Sequence, residues 1–114
     1  MHEVGIANEI LRAGQIEAAR RPGARLVAVK VRIGVLAGVD SDALRFAWEV
    51  LSQPAEGVAP RLDIEVVPRR NCCEACGAKF FSDVLGEDCP DCSSRNSRLL
   101  GGDELQLASV EVEE

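Results

Sequence analysis

A chain of 114 residues with 46% hydrophobic content has room for one modest core and not for two full-sized domains. Thirteen Lys plus Arg against nineteen Asp plus Glu give a net charge of −6, which repels a phosphate backbone and weakens any generic nucleic-acid role. No apolar run approaches the ~18 residues of a membrane span, no export signal opens the chain, and five cysteines cannot all pair within it; a soluble cytoplasmic protein with free thiols is expected.

From His2 to about Arg20, Ala7, Ile10, Leu11, Gly14 and Ala18 recur at spacings of three and four, which predicts an amphipathic helix. Glu3 lies in its first turn, where the helix dipole favours an anion. Gly14 costs about 1 kcal/mol relative to Ala in a helix interior and suggests close packing. Arg21, Pro22 and Gly23 stop the helix. Leu26 to Ile33 alternate as a half-buried strand, with Val27, Val29, Val31 and Ile33 on one side and Lys30 and Arg32 on the other. Asp40, Ser41 and Asp42 offer N-caps to a second helix. Its buried face is expected to hold Leu44, Ala47, Trp48 and Leu51, widened by Ala43, Phe46 and Val50.

After a loop from Gln53 to Pro60, Leu62, Ile64 and Val66 predict a second strand, which Pro68 ends. A cysteine segment runs from about Arg70 to Leu100. Beyond Gly101 and Gly102, Leu105 and Leu107 begin a third strand, and Val110 and Val112 continue it on the opposite parity, so a bulge near Ala108 and Ser109 is expected. The predicted architecture is α+β: a three-stranded sheet flanked by two helices, with an inserted zinc-knuckle domain resembling a zinc ribbon. Its boundaries are residues 1–69 plus 101–114 for the α/β domain and 70–100 for the insertion.

The insertion carries the strongest chemical signal. Cys73-Glu74-Ala75-Cys76-Gly77 is followed, after twelve intervening residues, by Cys89-Pro90-Asp91-Cys92-Ser93. A Cys-X-X-Cys turn brings two sulfurs onto one ion, and two such turns complete the tetrahedral tetrathiolate of closed structural zinc sites. Iron suits the same four sulfurs, and unpaired thiols filling a small core are the bland alternative. A redox role is disfavoured because a closed site leaves no free nucleophile. Cys72 either stands in for Cys73 or is a spare thiol; the matched spacing favours Cys73. Phe80 and Phe81 are expected to pack over the knuckles. Arg69, Arg70, Lys79, Arg95 and Arg98 are interspersed with acidic residues, so no basic stripe marks a nucleic-acid ribbon.

His2 is the single histidine, and a lone terminal histidine is ordinarily a frayed, solvated side chain. Its position nevertheless has a chemical consequence. The Met1 amine, the His2 amide nitrogen and the His2 imidazole can wrap one ion in adjoining chelate rings, with the Glu3 amide or carboxylate as a fourth donor. Such a nitrogen-rich planar set suits nickel(II) or copper(II) and is poor for zinc. The first amides of a helix have no intrahelical partners, so these nitrogens are available without breaking it.

Taken together, Met1-His2-Glu3 opening a helix, Arg32-Ile33-Gly34 closing a strand, the Leu44 to Trp48 helix, the Leu62 to Pro68 strand, both cysteine pairs and Gly102-Asp103-Glu104-Leu105 leading to Val110-Glu111-Val112 resemble the HypA/HybF hydrogenase nickel incorporation proteins. The resemblance implies a non-enzymatic nickel metallochaperone, with nickel(II) at Met1, His2 and Glu3 and structural zinc at Cys73, Cys76, Cys89 and Cys92. It also implies work with a HypB-type GTPase, delivery to the [NiFe]-hydrogenase large subunit and, in some members, service to urease and its accessory proteins. Neither a membrane nor nucleic acid is an expected partner, and a homodimer is left open. A zinc-ribbon module contacting nucleic acid or a transcription assembly is the alternative, and a rubredoxin-like iron carrier a third. No triad and no phosphate-cradling loop competes.

Overall fold

The computed structural model describes residues 2–82 and 87–114; Met1, one of the expected nickel ligands, lies outside the described residues. The elements are α1 (His2–Ala19), β1 (Arg25–Gly34), α2 (Ser41–Leu51), β2 (Arg61–Val67), β3 (Arg69–Cys73), β4 (Lys79–Ser82), β5 (Ser97–Gly101) and β6 (Leu105–Glu113). They form two three-stranded sheets, one in the order β2-β1-β6 and the other β4-β3-β5. The first sheet is the expected one with its two helices; the second lies within the cysteine segment, where no strands were anticipated. The chain clusters into two compact units: Met1–Arg32 with Val39–Glu65 and Gln106–Glu114, and Ile33–Gly38 with Val66–Leu105.

In the first unit α1 and α2 pack on each other, and Ala7, Leu11, Gly14 and Ala18 are the buried stripe of α1. A Cβ at Gly14 would stand 2.8 Å from Val29 Cγ2 and 3.2 Å from Leu26 Cδ2, so the glycine gives up helix propensity for close contact with β1. β1 is the central strand and is more deeply buried than its alternation suggested: Leu26, Ala28, Val29 and Val31 are all enclosed. Ala28 lies on the charged face, where the long side chains of Lys30 and Arg61 and the flanking Asp63 and Glu111 surround it. Ion pairs lie on that face, Arg32 Nε to Glu65 across β1 and β2 at 2.8 Å and Arg61 Nε to Asp63 along β2 at 2.9 Å, and hold both carboxyls below their ordinary range. Exposed as they are, each adds little stability.

Asp40 caps α2, its carboxylate accepting from the Asp42 and Ala43 amides at 3.0 and 3.1 Å. The buried stripe is Leu44, Ala47 and Trp48, with the Trp48 indole donating to the Pro60 carbonyl at 2.8 Å. Phe46 and Val50 do not widen it, being 69% and 61% exposed. At about 100° per residue each lies some 160° around the helix from Trp48, which places them on the far side. In β6, Leu105 and Leu107 are exposed and half-burial recurs at Ala108, Val110 and Val112, so the two parities do not both face inward as a bulge was expected to arrange.

Within the second unit three chain segments meet backbone to backbone. The Gly34 amide donates to the Glu104 carbonyl at 2.8 Å, the Val35 amide to Val67 at 3.0 Å and the Leu36 amide to Gly102 at 2.7 Å. A Cβ at Gly34 would overlap the Gly102 carbonyl oxygen, and one at Gly102, where φ is +114°, would stand 2.7 Å from Arg69 Cα. Glu104 fixes the same turn, its carboxylate accepting from the Gly102 amide at 2.5 Å. That amide above all, with those of Glu104 and Asp103 and the charge of Arg70, holds the Glu104 carboxyl below its ordinary value.

Two outcomes are expected. Gly34→Ala should lower unfolding free energy by about 3 kcal/mol or more, since the new Cβ would overlap the Gly102–Asp103 backbone, which cannot move aside as a flexible side chain could; a denaturation midpoint equal to that of the parent chain would contradict the crossing. Because the folded pKa of Glu104 is depressed, its contribution is fully present above its unfolded value and is lost as pH falls through the folded one. Glu104→Gln should therefore flatten the acid limb of the stability profile, and an unchanged limb in urea melts across acid pH would refute this.

Candidate metal centre

The cysteine segment builds its site from one local pattern used twice. In the first pair the Cys73 amide donates to the Ala78 carbonyl at 2.8 Å and the Gly77 amide returns to the Cys73 carbonyl at 2.9 Å. In the second the Cys89 amide donates to Ser94 at 2.9 Å and the Ser93 amide to Cys89 at 2.8 Å. Each turn needs a left-handed residue directly after its second cysteine, and these are Gly77 at φ +78° and Ser93 at φ +64°. Ser93 is the one non-glycine with positive φ among the described residues, a strain of about 1 kcal/mol accepted at the second knuckle.

These turns bring the four sulfurs of Cys73, Cys76, Cys89 and Cys92 within 4.8 Å of one another, with Cys73 to Cys92 at 3.6 Å and Cys76 to Cys89 at 3.7 Å. A tetrahedron with metal–sulfur bonds of about 2.3 Å has edges of about 3.8 Å, so the cluster fits one zinc ion. Cys73 and Cys89 are buried, with Phe80 against them and Ala78 beside it, while Cys76 and Cys92 face solvent. Phe81, expected to pack here as well, is 67% exposed, because neighbouring residues of β4 point to opposite faces.

Strand parity also decides between the adjacent cysteines. Cys73 faces the cluster with Phe80, whereas Cys72 lies opposite Lys79 and Arg98 on the other face of the sheet. The Cys72 Sγ lies 3.8 Å from both the Gly77 carbonyl and Arg98 Nη2 and takes no part in the four-sulfur group. The matched Cys-X-X-Cys spacing favoured the same residue, Cys73, without reference to strand parity. The alternation of Asn71 and Cys73 against Arg70 and Cys72 was the available signal.

The electrostatics show what the sulfurs require. The Cys73 thiol is lowered to about 6, chiefly by the Cys76 amide, with Ala75 and the neighbouring thiols Cys92 and Cys76 assisting. Cys76, although the Ala78 amide favours its anion, is pushed up to about 12 by Cys92, lost solvation and the remaining sulfurs. Cys92 is raised as well: the Ser94 amide favours its anion, and Cys73 and desolvation oppose it. Cys76 and Cys92 therefore hold their protons near neutrality, and a dication at the cluster favours their release.

At the start of α1 the structure brings together two of the three expected nickel ligands. His2 Nε2 lies 2.9 Å from Glu3 Oε2, and the same carboxylate oxygen is 3.4 Å from the Asp40 amide at the cap of α2. His2 is mostly exposed and the Glu3 side chain mostly enclosed. The sequence marked Asp40 only as a helix cap; its second link, to Glu3, joins residues 37 positions apart and had no local signal.

The family model described as hydrogenase/urease nickel incorporation, metallochaperone, hypA matches residues 1–112. The chain is 36% identical over 115 residues to the hydrogenase maturation factor HypA of Roseiflexus sp. (strain RS-1), covering 100% of this chain and 94% of that protein. It is likewise 36% identical over 112 residues to the hydrogenase maturation factor HypA of Synechococcus elongatus, covering 98% and 99%. Its fold is similar to the solution structure of the Ni metallochaperone HypA from Helicobacter pylori, with a TM-score of 0.61 at 24% identity over 97% of each chain.

Cys76→Ser should abolish stoichiometric zinc and expose the second unit to protease, because a metal that binds only the folded form contributes folding free energy directly. Elemental analysis with limited proteolysis checks it: full zinc and an intact module in the variant would refute the centre, and iron at one ion per chain in the parent would replace zinc.

Proposed function

The chain belongs to the HypA family of nickel metallochaperones and hydrogenase maturation factors, and from that premise we propose that it binds nickel(II) through its own N-terminus and hands it on. The donors are the Met1 amine, the His2 amide and imidazole, and Glu3. The observation that carries the reading is the contact of His2 Nε2 with the Glu3 carboxylate at the open end of α1. A metal-binding imidazole commonly turns its other nitrogen toward a carboxylate that fixes the ring. With Nε2 so engaged, Nδ1 closes a six-membered ring with the His2 amide nitrogen. The Met1 amine and Glu3 would supply further donors, giving a nitrogen-rich set suited to nickel(II). The Asp40 amide steadies the carboxylate that orients the ring.

Zinc is the resident metal, held by Cys73, Cys76, Cys89 and Cys92, and its role is to crosslink residues 70–100; residues 1–69 with 101–114 carry the nickel. Zinc here supplies folding energy and performs no chemistry on the cargo. The chain acts as a carrier and not as an enzyme, in the cytoplasm, with a HypB-type GTPase and the [NiFe]-hydrogenase large subunit as partners and urease as a second client. No helix among the described residues is long and apolar enough to cross a membrane.

Nickel titrations of the parent chain, His2→Ala and a form extended before Met1 test the chelate. Both altered forms should lose nickel affinity by roughly tenfold or more, the order expected when a ligand or its support is removed, while keeping zinc. Equal affinity in all three would sink the terminal site.

A further inference from the structure

The second sheet has two unlike faces. Residues directly opposite in an antiparallel pair share a face, and alternate residues along a strand do too. One face carries Asn71, Cys73, Phe80 and Ser82, all buried, and belongs to the metal cluster and its polar support, in which Asn71 Nδ2 donates to Ser82 Oγ at 2.8 Å. The register Arg70 to Phe81, Cys72 to Lys79 and Cys72 to Arg98 puts Arg70, Lys79, Arg98 and Phe81 together on the other, with the Cys72 sulfur beneath them. Phe81 is 67% exposed, with Arg70 directly opposite it and Lys79 and Arg98 on the same face either side of Cys72.

Neighbouring acids neutralise this face only at its margins. Arg98 pairs with Glu74 at 3.3 Å, the charge of Arg70 acts on Glu104, and Lys79 pairs with no carboxylate among the described residues. An exposed aromatic with cations on the same face, on a chain whose net charge is −6, is a local departure from the character of the whole molecule.

We propose that the Arg70, Lys79, Phe81 and Arg98 face of the β4-β3-β5 sheet is a docking surface for an acidic segment of a partner protein, with an apolar side chain of that segment seated on Phe81. The cations select the acidic segment and raise its rate of encounter, and the ring supplies the apolar anchor. Nucleic acid is the less suitable occupant: Glu74 and Glu104 border the patch, and the overall negative charge opposes a polyphosphate far more than a short peptide. This goes beyond metal delivery and does not depend on where nickel binds.

The test uses the zinc-loaded full chain and a fluorescent peptide in which Asp and Glu surround one central Leu. Saturable binding is expected, perturbing amide resonances of β3, β4 and β5, weakening with added salt and falling roughly tenfold or more in Phe81→Ser and in Lys79→Glu. Both variants should retain zinc and parental nickel affinity, which separates loss of docking from loss of fold and from failure of the nickel site. If Phe81→Ser loses zinc, Lys79→Glu on the same edge strand carries the comparison. The proposal is overturned by absence of saturable binding, by undiminished affinity in Lys79→Glu, by equal binding of a peptide with Lys in place of the acids, or by oligothymidylate displacing the acidic peptide.

Discussion

Everything in the second unit depends on four sulfurs that cannot share a small volume as thiolates without a cation. Among the described residues the buried apolar cluster at the metal centre is Cys73, Phe80 and Cys89 with Ala78 beside them, a small core that a crosslink must reinforce. The knuckle amides of Ala75, Cys76, Ala78 and Ser94 are already aimed at sulfur, so the turns are formed for an anionic cluster. A divalent ion binding all four sulfurs as thiolates makes the crosslink that the short strands β3, β4 and β5 need.

Around that centre, strand parity and glycine supply the geometry. Parity sends Cys73 to the metal and Cys72 to the opposite face, and it separates Phe80 from Phe81 in the same way. Gly34 and Gly102 let three backbones approach where side chains would collide, and Glu104 closes the turn through the amide of Gly102. None of these is a large energy taken singly. Each fixes direction, and direction is what four converging ligands require.

Much of this was legible in the residues. Spacing alone gave both helices, the three strands of the first sheet and the four-sulfur group, because helical and strand periods and the paired Cys-X-X-Cys are local signals. The face of α2 was overdrawn at Phe46 and Val50, where apolar character alone does not place a residue inward. The second sheet was missed because its strands are four or five residues long, and turns dominate the sequence around them. The link from Glu3 to Asp40 was out of reach for a different reason: it is set by how α1 meets α2, and nothing within either helix encodes it.

The Cys72-Cys73 doublet has a consequence for how the chain reaches this state. Sliding β3 by one position against its neighbours would present the wrong sulfur to the ion and turn every side chain of the strand over. An unfolded chain in the presence of metal therefore has two competing first catches, and the wrong one buries Arg70 and exposes Asn71. Selection between them falls to the buried contact of Asn71 Nδ2 with Ser82 Oγ across β3 and β4, which exists in one register only. The buried amide thus acts as proofreader for a ligand that it never touches.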